Sequence, residues 1–166
     1  QAAGPIWKGT TPLGCKLFIW LAVQYRLWIA DRRFRHGLQE ERSPCYLCEQ
    51  EEDTVDHILM QCVYARQVWF LCFSRLRISL TLLPSNQDNL EDWWCRVRKR
   101  LDKASRAGFD CIVKLIAWCL WKQRNTRVFS SGVVRNELGT VDFIFQVLSV
   151  WAKAGVAEFN IFVSSP

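Results

Sequence analysis

Two histidines, His36 and His57, are all that this 166-residue sequence offers of the side chain most used for proton transfer near neutral pH. It has no Gly-x-Ser-x-Gly turn and no glycine-rich phosphate loop, so neither a hydrolase nucleophile nor a nucleotide cradle is in view. The longest apolar stretches, residues 17–23 and 113–121 (the second interrupted by Lys114), are too short to cross a bilayer, which takes about 20 residues. No secretory signal peptide opens the chain, and no internal repeat or low-complexity tract interrupts it. An opening Gln1 in place of Met reads as the start of a fragment of something longer.

What is present is enough for a real core. Half of the residues are hydrophobic and 23% are charged, unlike an isolated zinc finger. The length suits one domain, or one domain with a small metal-bound subdomain. The net charge of +6 is compatible with nucleic acid without being diagnostic of it. Eight cysteines raise the question of a disulfide framework. Five of them, Cys15, Cys72, Cys95, Cys111 and Cys119, lie scattered in apolar, helix-like stretches, where a free thiol behaves as a small hydrophobe. The expected setting is therefore reducing and intracellular, nuclear or cytoplasmic, neither secreted nor in a membrane.

The other three cysteines carry the strongest signal. Cys45, Cys48, His57 and Cys62 read C-x2-C-x8-H-x4-C. Ser43-Pro44 opens the first pair and the acidic run 49–53 follows it. Three thiolates and one imidazole make a closed tetrahedral zinc site, which leaves no position for a reactive water and so predicts a structural rather than a catalytic metal. Two other readings explain fewer residues. One is a buried core with Cys62 packed, His57 hydrogen-bonded, and Cys45 and Cys48 incidental. The other is a Cys45–Cys48 redox pair, which leaves His57 and Cys62 unused and lacks a strand–helix setting. His36 and Cys15 are substitute ligands at larger sequence distance.

Apolar periodicity predicts a mostly α fold, a helical domain with an embedded Cys3His zinc knuckle over residues 43–62. Helices are expected over residues 12–28, with Leu13, Leu17, Trp20, Leu21 and Leu27 as the apolar face, and over 30–36, ended by Gly37. Asp53 or Thr54 is expected to cap the short helix that carries His57. On a continuous α-helix His57 and Cys62 would point about 140° apart, at roughly 100° per residue, so a break is expected near Gln61 and Cys62. Further helices are expected through Val68, Trp69 and Cys72, from an Asn89 cap through Trp93, Trp94 and Val97, over 106–129, and over 136–154 with Leu138, Val141, Ile144, Phe145, Leu148 and Trp151 inward. Residues 159–163 read as extended.

With these residues in hand, the chain resembles the zinc-binding domain that follows the reverse transcriptase in plant non-LTR (LINE-type) retrotransposons. Residues 17–22, LFIWLA, resemble that family's F-x-W-L-A, and Arg26-Leu27 with Ala30-Asp31-Arg32 resembles its R-L-x-T-x-D-R-L. Cys45-Tyr46-Leu47-Cys48 matches C-x-L-C. Residues 53–59, DTVDHIL, resemble E-T-x-x-H-L-F and precede Cys62 and then Val68-Trp69, similar to its V-W. Trp121-Lys122-Gln123-Arg124-Asn125 with Phe129 resembles W-K-x-R-N…F. The chain departs from the pattern at Ile29, where Thr is usual, and at Arg33, where Leu is common. The resemblance implies a domain over residues 1–129 with a helical extension over 130–166, one structural Zn2+, and no polymerase activity. Accordingly there is no Tyr-x-Asp-Asp, and the eight Asp residues stand singly rather than in a ribonuclease H cluster. It also implies RNA or DNA as partner, with the upstream reverse transcriptase domain of the same polyprotein as another.

The candidate nucleic-acid contacts are Arg32, Arg33, Arg35 and His36 in one basic set, and Arg96, Arg98, Lys99 and Arg100, continuing to Lys103 and Arg106, in a second. Lys122, Arg124 and Arg127 form a weaker third set, and Tyr46 and Phe34 are candidates for stacking on unpaired bases. Trp20, Trp69, Trp118 and Trp121 are expected in the core and Trp7 and Trp28 outside it. A solvated charged face is the plainer account of each basic set. The corresponding second function is a zinc-braced helical protein–protein interaction domain with no nucleic-acid contact.

Overall fold

The computed structural model describes residues 3–155; within them the regular structure is helical, joined by turns and loops, apart from one isolated antiparallel bridge between Pro44 and Glu52. Seven α-helices follow one another: α1 (Ala3–Trp7), α2 (Leu13–Val23), α3 (Ala30–Arg35), α4 (Val63–Leu76), α5 (Leu90–Arg100), α6 (Lys103–Phe129) and α7 (Glu137–Lys153). A π-turn, His57–Gln61, leads into α4, and a single 3-10 turn, Leu80–Leu82, lies between α4 and α5. Three helix starts, those of α5, α6 and α7, are capped by the residue types that favour this. Asn89 accepts from the Asp92 N–H, Asp102 from Ser105, and Asn136 from Gly139.

The core is built around α6, whose residues 108–117 are all buried. On its first turns sits an aromatic cluster from three helices. Trp69 and Trp93 meet edge-on at 5.1 Å between ring centroids, and Phe109 lies 5.9 Å from Trp93 and 6.2 Å from Phe73. Such pairs add about 0.5–1.5 kcal/mol each beyond the apolar area they bury. Each buried indole N–H finds an acceptor: Trp69 donates to the Leu59 carbonyl at 2.8 Å, Trp93 to the Leu82 carbonyl at 2.9 Å, and Trp94 to Asp110 at 2.8 Å. α7 lies across α4. The Tyr64 hydroxyl reaches Thr140 at 2.6 Å and the Arg135 carbonyl at 2.8 Å, and Arg75 pairs with Asp142 at 3.0 Å.

The structure corrects several local expectations. The helix expected over 12–28 stops at Val23, because Tyr25 takes a left-handed conformation (φ 52°) and Arg26 N–H turns back to the Leu21 carbonyl. A non-glycine residue there costs about 1 kcal/mol, offset by a hydrogen bond from the Tyr25 hydroxyl to Asp56 at 3.0 Å. The inward face of α2 is Cys15, Phe18, Ile19 and Ala22, while Leu13 and Leu17 point outward at 72% and 47% exposure. A helix apolar on nearly every side gives periodicity little to choose by. Leu138 is likewise exposed, and Val141, Ile144 and Leu148 form the buried stripe of α7. Trp69 is fully buried, whereas Trp20, Trp118 and Trp121 are only partly so; Trp7 and Trp28 are exposed. Residues 159–163 lie outside the described residues.

Lys114, which interrupts the apolar stretch 113–121, is buried. Its ammonium donates to the carbonyls of Pro5, Ile6 and Lys8 at 3.2, 3.4 and 2.9 Å, satisfying the C-terminal end of α1. Burial pulls its pKa down from the ordinary lysine value.

Candidate metal centre

Cys45, Cys48, His57 and Cys62 come together, with one ligand atom from each lying within 4.8 Å of every other. The first two sit on a tight knuckle. Cys45 N–H donates to the Glu51 carbonyl at 2.6 Å, Asp53 N–H to the Ser43 carbonyl at 3.1 Å, and Glu49 N–H to the Cys45 carbonyl at 2.8 Å. These close the loop on itself and require Glu49 to turn left-handed, at φ 59°. The Leu47 N–H points at the Cys45 sulfur at 3.4 Å, the kind of outer hydrogen bond that orients a thiolate ligand.

The other two ligands solve the 140° problem by a device that periodicity did not suggest. From His57 to Gln61 the chain winds as a π-turn, with Cys62 N–H bonded to the His57 carbonyl five residues back at 2.7 Å. Widening the turn to about 4.4 residues brings positions 57 and 62 to within roughly 50° of each other, so both face the knuckle. The break expected at Cys62 is present, since its φ and ψ are −56° and 136° and α4 begins afresh at Val63. Of the two caps considered, Thr54 fills the role: its hydroxyl accepts from His57 N–H at 3.2 Å.

The geometry and donor set fit a tetrahedral zinc ion. A Zn–S distance of about 2.3 Å implies an S···S edge of about 3.8 Å. The Cys45 and Cys62 sulfurs are 3.9 Å apart, and the Cys48 sulfur is 3.2 Å from His57 Nε2. With protons alone to share, Cys45, His57 and Cys62 perturb one another. The hydrogen bond shared with Cys62 holds the Cys45 thiol well below its ordinary value, and the same bond together with burial pushes Cys62 up. Burial works against a charged His57, yet the neighbouring Cys45 and Cys48 sulfurs outweigh it and lift the imidazole to about 9. The cluster attracts positive charge, which a divalent soft cation supplies. His36 and Cys15 take no part. His36 is exposed beside Trp28, and the Cys15 thiol points to the Lys114 carbonyl at 3.3 Å.

Asp53 does something the sequence did not suggest. Its carboxylate accepts the Ala30 N–H at the start of α3 at 3.2 Å, and it pairs with Arg124 of α6 inside the protein. The Arg124 guanidinium also lies 5.3 Å from the ring centroids of both Tyr46 and Trp121. Knuckle, α3 and α6 thus meet on one ion pair. The third basic set is corrected accordingly. Arg124 is buried, and Arg127 is tied to the Gln123 and Arg135 carbonyls at 3.0 and 2.8 Å. Gln123 joins α6 to the following loop, through the Val133 carbonyl and the Arg135 N–H at 3.0 and 2.9 Å.

The two other basic sets are divided by their partners. Arg33 is exposed, Arg35 pairs with Asp31 at 2.7 Å, and Arg32 donates to the Arg26 carbonyl with its guanidinium 4.2 Å from the Trp28 ring centroid. On α5, Lys99 and Arg100 are exposed, whereas Arg96 is bound to Asp88 at 2.8 Å and Arg98 to Asp110. Tyr46 is half-buried over Arg124, and Phe34 is half-buried under Arg42. Trp28, which the sequence placed outside without a role, is 55% exposed beside the first basic set.

Fold and site together define a helical domain with a Cys3His group suited to zinc. Residues 1–69 match the family described as zinc-binding in reverse transcriptase, a stretch that holds all four ligand-type residues. Comparison with the curated proteins and with the solved structures finds no match. Among the described residues, no helix is long and apolar enough to cross a membrane.

Proposed function

We propose that Cys45, Cys48, His57 and Cys62 hold one structural zinc ion, and that the domain is a non-catalytic module of a retrotransposon-derived reverse transcriptase that grips single-stranded template RNA or target DNA. When bound, the zinc closes its coordination sphere on protein ligands and braces the knuckle against α3 and α6. The observation that carries the nucleic-acid reading is the surface at α3. Trp28 is exposed, the Arg32 guanidinium covers one side of its ring, His36 stands 5.6 Å away and Arg33 is exposed beside it. An exposed aromatic ring flanked by cations is what sequence-tolerant stacking on unpaired bases requires. The sequence matches favour a plant LINE-type parent, an intracellular setting in nucleus or cytoplasm, and the upstream polymerase domain as a neighbour.

A second reading, a zinc-braced protein interaction domain, draws on the exposed apolar side chains Phe129, Val133, Val134 and Leu138 around the turn from α6 to α7. Titrating labelled single-stranded RNA and DNA against the zinc-loaded protein at several salt concentrations separates the two. The first reading expects binding that weakens steeply with salt and is reduced at least severalfold in Trp28→Ala. Absence of binding to either strand at low salt leaves the interaction domain.

A further inference from the structure

The geometry points to a second polynucleotide contact, a phosphodiester-backbone site in the cleft between the end of α1 and the start of α6. It rests on the nucleic-acid reading above and gives that reading a separate surface. The cleft has a volume of about 290 Å³ and is lined by Lys8, Arg98, Lys103, Arg106 and Asp110, with only the small Gly9 and Ala107 besides. Asp110 is already satisfied, by the Trp94 N–H at 2.8 Å and by Arg98. Lys8, Lys103 and Arg106 make no ion pair with a carboxylate among the described residues. Arg106 uses Nε on the Leu101 carbonyl at 3.1 Å. Three cations without a carboxylate partner therefore line one cleft at the start of α6, whose own N-terminus is already capped by Asp102.

The walls are held in place. Lys114 binds the Lys8 carbonyl at 2.9 Å from beneath, and the Lys16 ammonium binds the Gly9 carbonyl at 2.5 Å. Gly9 sits at φ 81°, a turn that a side chain would strain. Positively charged walls with no aromatic or large apolar side chain have nothing to hold a base and much to hold a phosphate. The cleft is also remote from the knuckle. Asp110 and Arg124 are 14 residues apart on α6, about 21 Å along the axis at 1.5 Å per residue.

The test uses the zinc-loaded protein, a 20-nucleotide oligo(dT) and its oligo(U) counterpart, and the dependence of log K on log[salt]. Each phosphate contact contributes about 0.7 to that slope for a single strand. Lys8→Ala/Lys103→Ala should lower the slope by about 1.4 and weaken low-salt binding at least tenfold, with zinc content and melting temperature unchanged. Trp28→Ala should weaken binding while keeping the slope. Inorganic phosphate at millimolar levels should compete weakly, because it offers one anion where a backbone offers several; competition equal to that of the oligonucleotide would identify a site for free phosphate and overturn the proposal. An unchanged slope in the double variant, with wild-type protein still binding, overturns the cleft and leaves the α3 surface standing. No binding by wild-type protein overturns both.

Discussion

Asp53 and Arg124, 71 residues apart, form an ion pair with almost no exposure to solvent. One carboxylate serves the α3 N-terminus, the end of the knuckle and the long helix at once. Removing one partner leaves an unpaired buried charge, which costs about 3–5 kcal/mol. Asp53→Asn and Arg124→Met should each lower stability by that order in thermal denaturation. The double variant should lose markedly less than the sum of the two, since neither buried charge is then orphaned. Additive losses would mean that the pair does not interact as the geometry requires.

The metal should dominate the stability of the first half of the chain. Zinc binding to such thiolate sites is on the order of 10 kcal/mol or more, comparable with the roughly 5–15 kcal/mol of a whole domain. Cys48→Ser and His57→Ala should abolish stoichiometric zinc and expose residues 43–62 to proteolysis and fast amide exchange. Affinity should rise with pH, because zinc displaces the proton that His57 holds up to about 9 and the one that Cys62 holds still more tightly. At least two protons should therefore be released per zinc at neutral pH, measurable by calorimetry in buffers of different ionisation enthalpy.

These expectations also mark what could be read in the residues alone. The Cys3His spacing picked out the four residues that come together and required a break at Cys62, and the cap at Asn89 was legible as local hydrogen-bond chemistry. The π-turn was not, because a change from 3.6 to about 4.4 residues per turn leaves no mark in an apolar pattern as short as His57–Gln61. The face of α2 was misread for want of polar residues to define its outer side. Arg124 looked like surface charge within Lys122-Gln123-Arg124; its partner Asp53 lies 71 residues earlier, and only tertiary structure joins them. Lys114 was hidden in the same way, its three acceptors being backbone carbonyls of a helix about 106 residues upstream.

The thiols give an independent count. Burial pushes Cys15, Cys72 and Cys119 up to about 12, so at pH 8 only about one in ten thousand of each is thiolate, and Cys111 is buried as well. Cys45, Cys48 and Cys62 belong to the metal cluster, which leaves the half-buried Cys95 on α5. Native zinc-loaded protein should react with one equivalent of a thiol reagent, at Cys95. Chelation should raise the count to four within minutes, the added three mapping to the knuckle by peptide mass. A count of four before chelation would show that the three cysteines are not protected by a metal.

Trp69 joins the aromatic core to the metal site, since its indole N–H donates to the carbonyl of Leu59 within the π-turn. Trp93, packed against it at 5.1 Å, donates instead to Leu82 in the loop before α5. Replacing either tryptophan with phenylalanine removes buried volume and strands one carbonyl, at a cost of about 2–4 kcal/mol. The two variants should therefore melt at similarly lowered temperatures. They should differ at the metal. Trp69→Phe frees the π-turn to rewind towards α geometry, which swings His57 and Cys62 apart, and zinc affinity should fall at least tenfold by chelator competition. Trp93→Phe leaves the turn anchored and should bind zinc as wild type does. Equal zinc affinities in the two variants would show that the turn is held by its ligands and not by the core behind it.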